Sequence, residues 1–454
     1  MPFLPDELLV HIFEYDLSQN DLVTLSRVGK KLYLSARDQL YGNVYLQDSI
    51  SLHLLMRSIL SSPFLASLVR TVVLGSPLLI DGCPEELEEP PRKARKPYSS
   101  GVGLNPFKAM YSPEEIRKLQ ELAGNSGLGW QLQVLPIGQC LEHTAILLFR
   151  SLPRLWSLTL CQEVISQVSI LDVKNVSHVF PMLHTFTYGS ISYTRPIYIE
   201  ALLPVFFIPT IRTITIWSLE TEIWGELQAE DMLKPFYRTS SVETLHIYKG
   251  DMDVITALTD MLRLPKCLKE LQCGPIMIGG THQFVNPTLL RLIIDLVSDT
   301  LERLVIHHTY LLDTAQMGSL RSYSSLKRLV ITPHILFGSS YSGFIEPSAV
   351  LPSTLEHFSL MAGSLAWSLH HYIVLIRSLI EQKSVYFPRL RVVVLWMMSG
   401  AVPEMQQLQE LASKAEVVLG IAHDYNPDPF QVIPLGLLQH GRGCFFSKRF
   451  SYAF

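Results

Sequence analysis

The chain has 454 residues, of which 48% are hydrophobic and only 17% are charged. This composition excludes a mainly disordered chain and predicts a large packed core. The formal net charge of −4 gives no reason to expect a nucleic-acid partner, because such proteins present a basic patch or stripe.

The sequence offers no targeting or membrane signal of a familiar kind. Acidic residues, Asp6 and Glu7, stand near the N-terminus, where a secretory signal carries basic ones. The most apolar stretch, residues 201–209, is shorter than the ~20 residues that span a bilayer. The six cysteines form no CxxC pair and have no histidine at zinc-ligand spacing, which predicts buried free thiols in a reducing compartment. We therefore expect a cytoplasmic or nuclear protein with no membrane partner and no cofactor.

Residues 1–46 predict a module of three short helices. Pro5 suits the first turn of a helix, because the N–H that proline lacks would have no partner there. Asp21 is placed to begin the second helix. Apolar residues recur at helical spacing in all three segments: Leu8, Leu9, Ile12 and Phe13, then Leu22, Leu25 and Val28, then Leu32, Tyr33, Ala36 and Leu40. So small a unit buries too little surface to be stable alone, and we expect it to need a partner.

The motif LPxELLxxIF, from Leu4 to Phe13, is followed by DLxxLxxV from Asp21 to Val28. This pair of motifs resembles the F-box, a helical module that binds a Skp-type adaptor of cullin–RING ubiquitin ligases. Tyr33 stands where many F-boxes carry tryptophan, a form common in fungal-type F-box proteins. The resemblance implies that the adaptor contacts, or the helices that carry them, are formed by Leu4, Pro5, Leu8, Ile12, Phe13, Leu22, Leu25 and Val28. Taken without the resemblance, the same segment is an ordinary helical cap for the domain that follows.

The rest of the chain repeats the template LxxLxL, with other apolar residues substituting freely. Nine copies begin at Leu155, Leu183, Ile211, Val242, Leu268, Leu301, Leu326, Leu355 and Leu390. They start 25 to 35 residues apart, at or just above the ~20–29 residues of a leucine-rich repeat. The chain thus resembles an F-box protein with degenerate leucine-rich repeats. The predicted fold class is α/β, with the three-helix F-box-like module followed by a right-handed α/β leucine-rich-repeat solenoid. A doubly wound sheet is the alternative.

Other segments complete this organisation. Val69–Leu74 fits the template, and the long gap before Leu155 has room for about two further repeats or for an insertion. Ser112–Glu115 resembles a capping box at the start of a helix, and Val417–Ile421 predicts a final strand. Residues 81–112 are first acidic and then basic, which predicts an exposed loop insert. The predicted domains are therefore 1–46 (F-box-like), 47–421 (irregular repeats) and 422–454 (a capping tail). No asparagine recurs after each strand, so we expect irregular repeats.

Alternation along the strands defines a candidate binding surface. The residues between the apolar positions of each template should point to the concave face. The first row is Ser157, Thr185, Thr213, Thr244, Glu270, Arg303, Arg328, His357 and Val392. The second row is Thr159, Thr187, Thr215, His246, Gln272, Val305, Val330, Ser359 and Val394. Because Trp, Tyr and Arg often anchor interfaces, we predict a substrate-binding surface made of Trp217, His246, Tyr248, Arg303, His307, Arg328, His357 and Trp396. The alternative is that the tryptophans pack under loops and the histidines are merely solvated.

The sequence contains no GxSxG, P-loop or HExxH motif, and we predict that the chain is not an enzyme. The family resemblance implies the substrate-recognition subunit of an SCF-type cullin–RING E3 ubiquitin ligase. Its partners would be a Skp-type adaptor, a cullin bound through that adaptor, and an unknown protein target. The alternative function is an adaptor-independent leucine-rich-repeat scaffold for protein interactions.

Overall fold

The computed structural model describes the following residues: 19–46, 49–74, 111–124, 145, 147–161, 180–189, 199–216, 233–248, 254–274, 277–278, 283–284, 287–306, 316–338, 345–361, 369–396 and 403–422. The chain divides into two compact units. The first comprises Met1–Tyr193 and Glu200–Arg212, and the second comprises Thr194–Ile199 and Thr213–Phe454. Within the described ranges, no helix combines the length and apolarity needed to cross a membrane.

The described part of the first unit starts with two helices, α1 (Gln19–Val28) and α2 (Lys30–Gly42). They correspond to the second and third predicted helices of the N-terminal module, whereas the first predicted helix lies outside the described residues. Leu22 and Ala36 form a small buried core between them, and Leu25, Leu32 and Leu40 pack against it. Five of the seven apolar residues that predicted the two helices therefore hold the pair together, whereas Val28 and Tyr33 are exposed.

A strand was missed at the end of the predicted helical module. β1 (Asn43–Leu46) follows α2 directly and pairs in parallel with β2 (Thr71–Leu74). Two helices, α3 (Ser49–Ser61) and α4 (Pro63–Leu68), connect the two strands. The sheet therefore starts inside the segment that the sequence assigned to helices.

The long gap before Leu155 is an insertion and adds no repeat between its flanking strands. β2 pairs directly with β3 (Ser157–Cys161), which pairs with β4 (Thr185–Gly189), all in parallel. The insertion contributes the helix α5 (Pro113–Gly124), and α6 (Ile199–Phe206) follows β4. Direct pairing of β2 with β3 decides between the two alternatives that the sequence left open.

The predicted capping box of α5 is confirmed. The Ser112 amide donates to Glu115 Oε2 (2.6 Å), and the Glu115 amide donates to Ser112 Oγ (3.2 Å). The helix also docks on α3: Arg57 Nε donates to Glu115 Oε1 (3.1 Å), and Tyr111 Oη lies 2.6 Å from His53 Nδ1. Tyr111 is buried, although it falls within the loop insert that the sequence predicted to be exposed. Residues 81–110 of that insert lie outside the described residues.

Among the described residues of the second unit, eight parallel strands pair in chain order. They are β5 (Thr213–Ile216), β6 (Thr244–Ile247), β7 (Glu270–Cys273), β10 (Arg303–Ile306), β11 (Arg328–Ile331), β12 (His357–Met361), β13 (Val392–Trp396) and β14 (Val418–Ala422). A separate antiparallel pair joins β8 (Met277–Ile278) to β9 (Gln283–Phe284). The predicted final strand is confirmed as β14.

Helices precede or follow most of these strands. They are α7 (Val254–Arg263), α8 (Pro287–Ile294), α9 (Pro333–Phe337), α10 (Pro347–Val350), α11 (Leu369–Glu381), α12 (Lys383–Tyr386) and α13 (Pro403–Lys414). Short 3₁₀ turns occupy Lys234–Phe236 and Asp295–Val297. The alternation of strand and helix agrees with the α/β class that the sequence predicted.

The apolar positions of all nine templates are buried, so each repeat contributes its template residues to the core. Threonines stand immediately before three of the templates and form hydrogen bonds between neighbouring repeats. Thr210, Thr300 and Thr354 each donate a hydroxyl hydrogen bond of 2.8 Å to the carbonyl of the first template residue one repeat earlier. Because a buried carbonyl without a partner is costly, these hydroxyls stabilise the turn between repeats.

Two cysteines test the prediction of buried thiols. Cys273 and Cys267 are both free, but only Cys273 is buried, while Cys267 is exposed. Burial raises the pKa of the Cys273 thiol to about 12, so that thiol stays protonated. The expectation of burial is therefore wrong for Cys267. Glu270, the first residue of the strand that follows Cys267, belongs to the polar cluster described below.

Candidate functional site

Three of the predicted adaptor-binding residues lie on the N-terminal helix pair, and the structure places them in two different environments. Leu22 is buried in the core between α1 and α2, and Leu25 packs against that core. Val28 is 69% exposed at the end of α1. The structure thus gives two of these residues a role in holding the helices and leaves one at the surface. The other five, Leu4, Pro5, Leu8, Ile12 and Phe13, lie outside the described residues.

Two more exposed apolar side chains follow the exposed end of α1 in the chain. They are Tyr33 and Leu34, near the start of α2. The Tyr33 amide donates to the carbonyl of the N-cap residue Gly29 (2.9 Å), so α2 begins directly after the end of α1. Apolar surface of this kind, displayed next to a short turn, is a typical contact surface for a partner protein.

The helix pair is anchored to the sheet-forming part of its unit. The Arg37 guanidinium lies 4.6 Å from the centre of the Phe64 ring on α4, close enough for a cation–π interaction. The same guanidinium pairs with Asp38 at 3.1 Å. Because α2 also runs directly into β1, a partner bound to the helix pair would be joined to this unit without a linker.

In the second unit, a polar cluster forms on three adjacent strands. Glu270 Oε1 on β7 accepts hydrogen bonds from His246 Nε2 on β6 and from Arg303 Nη1 on β10, both at 2.8 Å. The sequence placed His246 and Arg303 in the substrate-binding surface but left out Glu270, which connects them. All three side chains are about one-fifth exposed, so the cluster is shielded from solvent without being cut off from it.

The electrostatics of the cluster favour an ionised Glu270. Burial by itself opposes ionisation of this carboxyl, but the hydrogen bond from His246 and the charge of Arg303 outweigh that effect. The pKa of Glu270 therefore lies below its ordinary value. An ionised carboxylate offsets the positive charge of Arg303 and fixes the orientation of both donors.

Tyr248 packs beside this cluster. Its ring meets the His246 ring edge-on at 6.2 Å, and burial raises the pKa of its hydroxyl. Its backbone lies very close to Gly274: a Cβ added to Gly274 would be 1.8 Å from the Tyr248 carbonyl oxygen. Only glycine fits there, so Gly274 sets how closely the two chain segments approach at the end of β7.

The row of the predicted surface continues across the next strands in register. Arg303 on β10 stands opposite Arg328 on β11, and Arg328 stands opposite His357 on β12. Arg328 is exposed and His357 is partly buried. Burial and then the neighbouring charge of Arg328 lower the pKa of His357. The structure therefore brings Arg303, Arg328 and His357 together in one line, as the alternation of side chains predicted.

Other parts of the predicted concave face are covered. The five members of the second row from β7 to β13 are buried: Gln272, Val305, Val330, Ser359 and Val394. Trp396 is only 9% exposed, so it packs in the interior and does not contribute to an open surface. Alternation along a strand predicts which way these side chains point, but not whether other parts of the chain cover them. Trp217 and His307 lie outside the described residues.

A charged row just before the strands of the second unit was missed. The second residue of each template alternates in sign from one repeat to the next, in the order Glu243, Lys269, Glu302, Lys327, Glu356, Arg391. Lys269 Nζ lies 2.7 Å from a Glu243 carboxylate oxygen, and Lys327 Nζ lies 2.6 Å from one of Glu302. This alternation can be read from the sequence once the templates are aligned, because the sign of the charge changes from each copy to the next.

Comparison with known proteins gives one family, which matches the N-terminal segment. Residues 1–47 match the F-box-like family. The match covers the segment that carries the two N-terminal motifs, including the described helices α1 and α2 and the strand β1. No significant match to a curated protein was found.

Proposed function

We propose that this chain is the substrate-recognition subunit of an SCF-type cullin–RING E3 ubiquitin ligase. The F-box-like match at residues 1–47 is the observation that supports this proposal. In this role, the N-terminal segment binds a Skp-type adaptor and, through it, a cullin. The chain itself does no chemistry, and the reaction belongs to other subunits of the ligase.

The arrangement of the first unit supports adaptor binding near the end of α1. Val28 and Tyr33 present apolar surface there, and α2 continues without a break into β1. A substrate receptor needs such a rigid junction, because ubiquitin transfer depends on holding a target lysine close to the charged ubiquitin carrier. The receptor would accelerate ubiquitin transfer through proximity and orientation.

For the target, the proposed contact surface is the line of polar side chains on the second unit. It comprises His246, Tyr248, Glu270, Arg303, Arg328 and His357. Arginine and tyrosine are among the residue types that contribute most to binding energy in protein interfaces. Glu270 holds two of these groups in place before binding, which lowers the entropy lost when a target is bound.

We propose further that the parallel strands and their connecting helices form a right-handed solenoid of degenerate leucine-rich repeats. Three features support this: the recurring template, the in-order parallel pairing within each unit, and the threonine hydroxyls that bond from one repeat to the previous one. Right-handed crossover is the general rule for parallel strands joined through helices.

Adaptor binding is the first test. The full chain would be incubated with a purified Skp-type adaptor, alongside a Leu8→Asp/Ile12→Asp double variant and a Val28→Asp variant. Leu54→Asp is a matched control, because Leu54 is also an exposed apolar residue of the first unit but lies on α3. We expect the parent and the control to bind, and the other two variants to lose binding.

The outcomes separate the two functions. If the parent, folded as judged by circular dichroism, fails to bind the adaptor, the chain is an adaptor-independent repeat scaffold and the ligase proposal is overturned. If Leu54→Asp weakens binding as much as Val28→Asp does, the contact surface is not the end of α1. Retention of binding by all variants would likewise contradict the proposed adaptor contacts.

A further inference from the structure

The solvent-facing side of α8 in the second unit is apolar. Leu289 is 40% exposed and Leu292 is 61% exposed, whereas Leu290 and Ile293 on the same helix are buried in the core. Leu296 follows in the 3₁₀ turn after α8 and is partly exposed. We call Leu289, Leu292 and Leu296 the α8 stripe, because a spacing of three and four residues is that of neighbours on one side of a helix. Apolar side chains that do not pack in the core are available to a partner.

The α8 stripe ends at a small cavity. Leu296 lines this cavity together with Tyr237, Arg238 and Arg263. Arg263 is the last residue of α7, and Tyr237 and Arg238 follow the 3₁₀ turn Lys234–Phe236. The volume of the cavity is about 220 Å³, which has room for one large side chain. The stripe and the cavity thus form one continuous surface, with Leu296 shared between them.

Arg238 is held at this cavity in an uncommon backbone conformation. Its φ is +60°, in the left-handed region that residues other than glycine and asparagine seldom adopt. The Arg238 amide donates to the Arg263 carbonyl (2.9 Å), and Nη2 of its guanidinium donates to the Leu296 carbonyl (3.0 Å). Strained backbone of this kind clusters at functional sites. The two hydrogen bonds fix an exposed cation beside the last residue of the stripe.

The two arginines of the cavity differ in what surrounds their charges. Arg263 Nη1 lies 3.7 Å from Asp260 Oδ1, and its guanidinium lies 5.4 Å from the centre of the Tyr237 ring, so its charge is already offset. Arg238 uses one of its five N–H donors on the Leu296 carbonyl, which is neutral, and forms no ion pair with any described residue. A cation at the end of an apolar stripe is complementary to a carboxylate at the end of an apolar face.

We propose that the α8 stripe and its cavity bind an amphipathic helix of a protein partner whose apolar face ends beside a carboxylate. Apolar side chains of the partner pack along the stripe, one of them enters the cavity, and the carboxylate meets the remaining donors of Arg238. From Leu289 to Leu296 the chain advances about 10 Å at ~1.5 Å per residue, so two turns of a partner helix match the stripe. The proposal goes beyond adaptor and target binding, because it uses no residue of the F-box-like segment or of the polar line proposed for the target.

A partner helix fits this surface better than a second copy of the chain or an extended strand. A stable dimer buries about 800 Å² on each subunit, far more than three leucines and one small cavity supply. A second copy would also bring Asp295 as the acidic residue next to its own stripe, and that carboxylate is already bound by Arg291 at 2.6 Å. An extended strand needs an open sheet edge to pair with, whereas a helix in a groove needs only a few apolar contacts at helical spacing.

The test uses the full chain and a fluorescent peptide of about 20 residues, long enough to form a helix, with anisotropy as the measurement. Leucines form one face of the peptide, and a glutamate stands one turn beyond either end of that face, so that a carboxylate can reach Arg238 in either chain direction. Two comparison peptides carry lysines in place of the glutamates or glutamines in place of the leucines.

The variants of the protein are Leu292→Ala and Arg238→Asn. Asparagine tolerates the left-handed conformation, so Arg238→Asn removes the guanidinium without adding backbone strain. The matched controls are Val385→Ala, at an exposed apolar residue of α12, and Arg377→Asn, at an exposed arginine of α11. All four changes lie at exposed side chains, so the variants should remain folded, which circular dichroism would verify.

We expect the leucine–glutamate peptide to bind the parent and both controls, and both comparison peptides to bind at least about tenfold more weakly. Leu292→Ala and Arg238→Asn should each weaken binding about tenfold. The proposal is overturned if the leucine–glutamate peptide fails to bind the folded parent, if it binds the two variants as tightly as the parent, or if the lysine peptide binds equally well. A dimer of the parent in sedimentation that Leu292→Ala dissociates would make the stripe a contact between copies and would also overturn it.

Discussion

Replacing Glu270 by glutamine removes the charge that holds the polar cluster of the second unit together while nearly preserving the shape of the side chain. In the parent, Glu270 Oε1 accepts hydrogen bonds from both His246 Nε2 and Arg303 Nη1 at 2.8 Å. A hydrogen bond to a charged group contributes about 1.5–3 kcal/mol. The partial exposure of the side chains and the acceptor oxygen that glutamine retains reduce the expected loss to about 2 kcal/mol of the free energy of unfolding.

The assay is thermal unfolding followed by circular dichroism. For a unit of this size, such a loss corresponds to a decrease in Tm of roughly 4–8 °C. Glu243→Gln is the matched control, because Glu243 also pairs with a cation, Lys269, but both partners are more exposed. Exposed surface pairs of that kind contribute little to stability, so the control should change Tm much less.

The effect of Glu270→Gln should also depend on pH with a defined sign. The pKa of Glu270 is lower in the folded protein than its ordinary value of 4.5, so the ionised form stabilises the fold. This contribution is complete above the ordinary pKa and is lost as pH falls through the lowered one. The difference in Tm between parent and Glu270→Gln should therefore be full near neutral pH and shrink in acid. Equal decreases in Tm for the two variants, or a difference that grows in acid, would refute the reasoning.

The remaining predictions concern local structure. Ser112→Ala removes one half of the capping box of α5 and should destabilise that helix by about 1 kcal/mol, measured as faster amide hydrogen exchange across Pro113–Gly124 with exchange in α1 unchanged. Gly274→Ala places a Cβ against the backbone at Tyr248 and should lower Tm strongly or prevent folding. Gly29→Ala is the control and should leave Tm nearly unchanged, because nothing lies within 4 Å of the added Cβ. Similar Tm values for the two glycine variants would contradict the close approach of Gly274 to the Tyr248 backbone.

The repeat template predicted the strands well because its signal is local. A strand that buries alternate residues needs apolar side chains at those positions, and every one of the nine templates became a strand with its apolar positions buried. The register followed as well: Thr244, Glu270, Arg303, Arg328 and His357 were expected in one row, and they stand opposite one another across adjacent strands. Equal positions in the template produce equal positions in a parallel sheet.

The strand β1 was missed for a related reason. Asn43–Leu46 is only four residues long and directly follows the helical pattern of α2, so it shows too few alternations to indicate a strand. Its structure comes from pairing with β2, which lies beyond two helices in the chain. Likewise, the sequence between β2 and β3 has room for repeats, and only the direct pairing of these strands identified it as an insertion.

The sequence pattern alone did not predict which residues of the candidate sites are exposed. Gln272 and Ser359 are polar and occupy positions expected on the concave face, yet both are buried, whereas Leu292 is apolar and exposed. Whether a side chain is covered depends on how distant segments pack over it. The role of Glu270 could not be predicted from the pattern either, because its two partners lie on neighbouring strands. Its importance appears only when the three side chains are seen to meet.

By itself, the sequence determined the second and third helices of the N-terminal module, the template strands, their parallel register and the capping box at Ser112, because each depends on residues close together in the chain or on a regular repeat. The tertiary structure decided the rest: the direct pairing of β2 with β3, the covering of the second row, the bridging of His246 and Arg303 by Glu270, and the placement of Arg238 beside Leu296. These depend on contacts between segments that lie far apart in the chain, and the free energy of such contacts is set by packing and desolvation, which no local pattern of residues records.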